Sequence, residues 1–180
     1  MIRFKFDEEK FVSLLQYFCR QFRDVDKLKA VKLLYLVDRQ YLLACGRPIL
    51  GDTYINMELG PVPSKAYDLL KQVEDNALPG YPVFADTSFR YPVFRTSDDA
   101  RMDVFSEAEI DCIKDVSKNF GSLSSLDLAK RTHEHQAWKG STRNQPIDYD
   151  LFFADEPDAH REAMEVMRLE QEDRDFTDSL

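Results

Sequence analysis

The sequence predicts a mainly α fold: a compact multi-helix domain built round a central apolar helix, with a small β-hairpin and extended insertion. Three observations carry this. Capped stretches repeat apolar residues at helical spacing. One stretch, 26–45, is apolar on nearly every side, as a helix packed on most sides must be. Two segments, 47–62 and 81–95, break the helical pattern with turn punctuation and aromatic or β-branched runs.

In order, residues 7–22 read as an amphipathic helix. Asp7 caps it, Glu8 and Glu9 suit the positive end of the dipole, and Phe11, Leu15, Phe18 and Phe22 form its stripe. Asp26 opens the central helix, which carries Leu28, Val31, Leu33 to Val37, Leu42 and Leu43 and stops at Gly46. Arg47-Pro48, Gly51-Asp52 and Gly60-Pro61-Val62-Pro63 then read as turns around an extended run from Thr53 to Met57. Pro63 suits the first turn of a helix reaching Asp75, with Tyr67, Leu70 and Val73 inward.

Tyr81 to Ala85 and Phe89 to Arg95 read as a hairpin turning over Ala85–Ser88, made irregular by Pro82 and Pro92. Ser106-Glu107-Ala108-Glu109 has the form of a capping box for a helix to about Asn119. Ser124 or Ser125 caps the next, with Leu126, Leu128 and Ala129 toward Glu134. Trp138 is expected in a polar loop, Asp148 to Phe153 in a short helix, and Pro157 at the start of a last helix striped by Ala163, Val166 and Met167. Residues 1–154 thus read as one helical domain and 155–180 as an acidic C-terminal helix with a frayed tail.

Composition narrows the function. The 180 residues carry a net charge of −9. Ten acids and three arginines fall between Asp155 and Leu180, while residues 1–154 hold 21 basic and 23 acidic groups. A nearly neutral body with an acidic tail lacks the basic footprint that duplex DNA requires, and is drawn to basic partners. The longest apolar run, Leu33 to Val37, is far short of the ~20 residues of a membrane span. The stretch Met1 to Asp7 has no signal-peptide core. Cys19, Cys45 and Cys112 make no disulfide framework. The expectation is a reduced, cytoplasmic protein with no membrane partner and no nucleic acid.

No catalytic set emerges. Asp38 falls inside the apolar face of the central helix and is read as a structural buried acid, accepting from Arg47, Tyr54 or the following amides. His133 and His135 point apart on a helix and suggest no metal, so His133 reads as a helix-end histidine. Cys45 lacks a base. Gly60-Pro61 lacks the glycine density and lysine of a phosphate loop. Lys27, Lys29 and Lys32 read as a solvated stripe. No cofactor is expected. The aromatics Tyr54, Tyr81, Phe84, Phe89 and Tyr91 are either a satellite core under the loops or anchors for a protein partner.

Three ordered blocks carry a resemblance. They are Lys32-Leu33-Leu34-Tyr35-Leu36-Val37-Asp38-Arg39; then Gly46-Arg47-Pro48-Ile49, Gly51-Asp52 and Gly60-Pro61-Val62-Pro63-Ser64 with Tyr67-Asp68-Leu69-Leu70-Lys71; then Phe105-Ser106-Glu107, Glu109, Phe120-Gly121, Leu123-Ser124, Thr132-His133 and Trp138. Across roughly residues 26–140 the chain resembles the Panacea domain, the SocA-like antitoxin family. It departs from the family pattern in lacking a proline just before Trp138.

The resemblance implies an antitoxin of a toxin–antitoxin pair, of the kind found on phages and mobile elements. It would neutralise a cognate, translation-targeting toxin by direct protein–protein contact. Alternatively it implies an adaptor delivering the toxin to a Clp-type protease, or, less in keeping with the charge, a DNA-binding regulator; some members carry an added DNA-binding domain, which is not expected here. The residues expected to meet the toxin are Tyr54, Gly60, Pro61, Val62, Tyr67 and Trp138.

Overall fold

A computed structural model describes residues 4–156 together with 165, 166, 168, 169 and 172. The central helix organises the rest. It is α2, Lys27–Cys45, flanked by α1 (Glu8–Gln21), the later α4 (Glu107–Phe120) and α5 (Ser125–His133), and a first hairpin. Its apolar residues from Ala30 to Val37, with Tyr41 and Leu42, are buried. The ends of α2 are set by local chemistry: the Asp26 carboxylate accepts from the Lys29 amide at 2.7 Å, and Gly46 closes the helix at φ 74°.

The other expected helices form for the reasons read from their caps. Asp7 accepts from the Lys10 amide at the start of α1. Ser106 and Glu109 make the reciprocal capping box of α4. Glu109, itself buried, also takes the Lys10 ammonium at 2.7 Å and so ties α1 to α4. Ser124 caps α5.

The insertion after α2 is a true ladder. β1 (Tyr54–Met57) pairs antiparallel with β2 (Gly60–Pro63), with Tyr54 opposite Pro63 and Met57 opposite Gly60. The segment Gly60–Pro63, expected as a turn, is therefore a strand, and every residue of it is buried. α3 (Ser64–Glu74) follows at once. Pro63 provides it no side-chain cap; the buried Asp52 carboxylate accepts from the Lys65 and Ala66 amides instead, at 3.1 and 2.9 Å.

The second hairpin is shorter than its sequence suggests. β3 (Phe84–Asp86) pairs with β4 (Val93–Arg95), and Thr87 to Pro92 form a longer connection than the expected Ala85–Ser88 turn. β4 is paired on its other side as well, since the Phe94 amide donates to the Val25 carbonyl at 2.7 Å. Trp138 lies in a one-turn helix, α6 (Gln136–Lys139), rather than a loop; the Asp155 carboxylate accepts from the Gln136 amide at 3.0 Å and holds its start. Tyr149–Phe153 is a 3-10 turn that packs Phe152 and Phe153 into the core. The last helix expected from Pro157 begins outside the described residues, as do Ala163 and Met167. Among the described residues no helix is long and apolar enough to cross a membrane.

Candidate functional site

The buried polar groups come first, because they decide which residues are available to a ligand. Asp38 is 0 % exposed; the Leu50 amide donates to one carboxylate oxygen at 2.7 Å and the Tyr54 hydroxyl to the other at 2.9 Å. Burial raises its pKa to about 7, and the Leu50 and Tyr54 hydrogen bonds pull it back only in part. An acid sealed in this way joins α2 to the β1 segment and meets nothing from outside. Arg47, expected as a buried polar residue beside it, is exposed.

The lysine stripe on α2 is likewise corrected. Lys27 is half-buried and pairs with Glu74, but Lys29 and Lys32 are enclosed. Lys29 reaches outward to the exposed Asp24 at 2.8 Å and passes over the Phe22 ring. Lys32 donates to the Pro61 carbonyl at 2.7 Å, and burial lowers its pKa to about 7. A helix apolar all round leaves its lysines little room to be on the surface, and their long stems let the amines find oxygen at the core's margin.

The histidines separate as their spacing implies. His133 stacks on Trp138 at 4.0 Å between centroids, while His135 Nδ1 meets the Tyr35 hydroxyl at 3.0 Å. His133 is thus a stacking partner for the tryptophan as well as a helix-end residue. Among the described residues no three His, Cys, Asp or Glu side chains converge to hold a metal.

The six expected contact residues divide. Tyr54, Gly60, Pro61 and Val62 are buried in the chain's own interior and reach a partner only through the surface they support. Tyr67 and Trp138 are half-buried. The Tyr67 ring lies under the Lys27 and Lys71 ammonium groups, at 5.5 and 5.0 Å. Trp138 is a clamp: its indole N–H donates to the Met57 carbonyl at 2.8 Å, and its own carbonyl accepts from Asn56 at 2.9 Å.

The five aromatics of the insertions divide too. Tyr54 belongs to the core and Tyr81 packs against it, but Phe84, Phe89 and Tyr91 stand out from the second hairpin, Tyr91 by 65 %. Leu59, at the β1–β2 turn, is 46 % exposed, and Leu126, at the start of α5, is 61 % exposed. Of the three apolar residues read along α5, Leu128 and Ala129 are buried and Leu126 is exposed.

These exposed side chains converge. Leu59, Tyr91 and Leu126, with Leu28 and Pro92, line one groove of about 470 Å³, bordered by Asp26, Lys27, Glu74 and Ser125. Four segments remote in sequence bring large apolar side chains to one depression, and exposed apolar clusters of this kind mark contact sites. Periodicity alone could not find it, because each segment contributes only one or two apolar residues from a turn, a loop or a helix start.

Comparison with known proteins gives one match. A family model described as antitoxin SocA-like, Panacea domain, matches residues 31–139. No curated protein and no solved structure matches the chain.

Proposed function

The chain belongs to the SocA-like antitoxin family through its Panacea domain, and from that premise we propose that it silences one cognate toxin by gripping it directly, protein against protein. The observation that carries this reading is the family match over residues 31–139, which takes in the central helix from Val31 onward, both hairpins and the groove lining except Asp26, Lys27 and Leu28. Holding a toxin silent calls for roughly nanomolar affinity, about −12 kcal/mol. An interface of around 1,600 Å² with a few aromatic anchors reaches it. Tyr67 and Trp138 keep exposed faces for such contact, while Tyr54, Gly60, Pro61 and Val62 act as the scaffold behind them.

The toxin attacks translation in this reading, and a protein that handles RNA presents a basic surface. The segment 155–180, with ten acids against three arginines, steers or covers that surface. The test is co-expression with the protein encoded by the adjacent reading frame: growth arrest relieved by this chain, and a co-purifying complex, are the expected results. Continued arrest with both proteins present would reject the reading. Removing residues 156–180 should weaken the complex at low salt far more than at high salt; equal affinity at both would end the role given to the tail.

A further inference from the structure

We propose that the groove of Leu28, Leu59, Tyr91, Pro92 and Leu126 receives a single amphipathic helix of the toxin, apolar on its inner face and basic along its flanks; this deepens the antitoxin reading and rests on it. The apolar part follows from the lining. Three large side chains, 46 to 65 % exposed, line a depression of about 470 Å³ together with the half-buried Leu28 and Pro92. Each gains from losing water.

Why a helix, and not a strand? A strand needs a free row of amides and carbonyls at a sheet edge. The β4 edge beside the groove is already occupied, by the bridge of Asp26 with Val93 and by the Phe94 amide on the Val25 carbonyl. In β2, Pro61 and Pro63 have no amide hydrogen, and the Pro61 carbonyl accepts from Lys32. What the groove presents is therefore side chain only, which suits a helix offering apolar residues at i, i+3 or i+4, and i+7.

Charge supplies the flanks. Asp26 and Glu74 border the groove, Glu58 adjoins Leu59 and Asp127 adjoins Leu126. The cations at the rim are fewer. Lys27 is paired with Glu74, Lys130 with Asp127 at 3.4 Å, and Arg90 lies over the Tyr91 ring at 5.4 Å. The Asp26 carboxylate takes neutral donors, the Lys29 amide at 2.7 Å and the Ser125 hydroxyl at 2.6 Å. The rim is net acidic, in a chain of net charge −9, and its complement is lysine and arginine.

The experiment uses the full chain, with the protein of the adjacent reading frame as probe. Leu126→Asp and Tyr91→Asp alter side chains that are mostly in solvent, so both variants should keep the wild-type circular dichroism and melting point. Each is expected to weaken binding at least about 30-fold and to abolish growth rescue. Hydrogen exchange on the wild-type complex should protect one helical segment of the toxin with apolar residues at those intervals and basic residues beside them. Undiminished binding by both variants, where the wild type still neutralises, would discard the groove and leave the antitoxin reading standing. A protected segment that is extended, or flanked by acids, would overturn the occupant. Failure of the wild type to rescue growth would remove the antitoxin reading, and this proposal with it.

Discussion

The Tyr54 hydroxyl donates to the Asp38 carboxylate across 2.9 Å, with both side chains enclosed, so one hydrogen bond ties the central helix to the first strand of the insertion. Replacing Tyr54 by Phe leaves that carboxylate oxygen without its donor inside the core. The expected loss is about 1–3 kcal/mol of stability, read as a lower urea midpoint at unchanged slope. An unmoved midpoint would mean that the bond contributes nothing.

Lys32 and Asp38 give the stability a dependence on pH that can be signed. Burial lowers Lys32 from 10.5 to about 7. Between those values the unfolded chain binds a proton that the folded chain lacks, so stability rises with pH, by up to about 1.4 kcal/mol per unit. Below pH 7 the whole cost of the enclosed charge is present. Asp38, raised by burial from 3.8 to about 7, does the reverse: there the folded protein holds a proton that the unfolded chain has released, and stability falls as pH rises. His135, lowered by burial and then by the nearby Arg39 from 6.5 to about 4, opposes Asp38 over much of that range. A shallow profile below pH 6.5 and a climb above pH 7 are expected in urea titrations. Lys32→Met should flatten the climb; a variant curve parallel to the wild type would refute the assignment.

Gly60 begins β2 at φ 99°, and a Cβ there would stand 2.3 Å from Thr132 Oγ1 and 3.1 Å from Lys32 Nζ. Gly60→Ala therefore combines a strained backbone with a collision against α5. A cost of at least about 2 kcal/mol is expected, visible as a lower melting temperature. Full retention of the melting temperature would show that α5 can move aside.

Trp138 joins α6, the end of α5 and β1 through its ring, its indole N–H and its carbonyl. Trp138→Ala should cost about 2–3 kcal/mol, somewhat less than a fully enclosed tryptophan, and should unpair Met57. Trp138→Phe keeps the stack on His133 but loses the donor, and should recover part of the difference. Equal stability of the two variants would place all of the effect in the hydrogen bond.

Local signals and long-range placement parted company at identifiable residues. The helices at Asp7, Asp26, Ser106 and Ser124 were legible because a cap is a bond between near neighbours, and the inward Asp38 was legible because a wheel of apolar residues surrounds it. Lys29 and Lys32 were misplaced at the surface because a side chain's long stem is invisible to periodicity. The exposure of Leu126 was not legible for a related reason: an apolar residue at a helix start points wherever the turn before it aims the helix.

Residue type and short spacing were enough to give the helical class, the central apolar helix with its caps, the acidic balance and the three family blocks. It took the packed chain to show that Gly60–Pro63 is a buried strand, that Tyr54, Pro61 and Val62 are enclosed, and that Leu59, Tyr91 and Leu126 share a groove. Burial is a property of the whole packed chain: which side chains are left in water depends on how segments far apart in sequence close against one another.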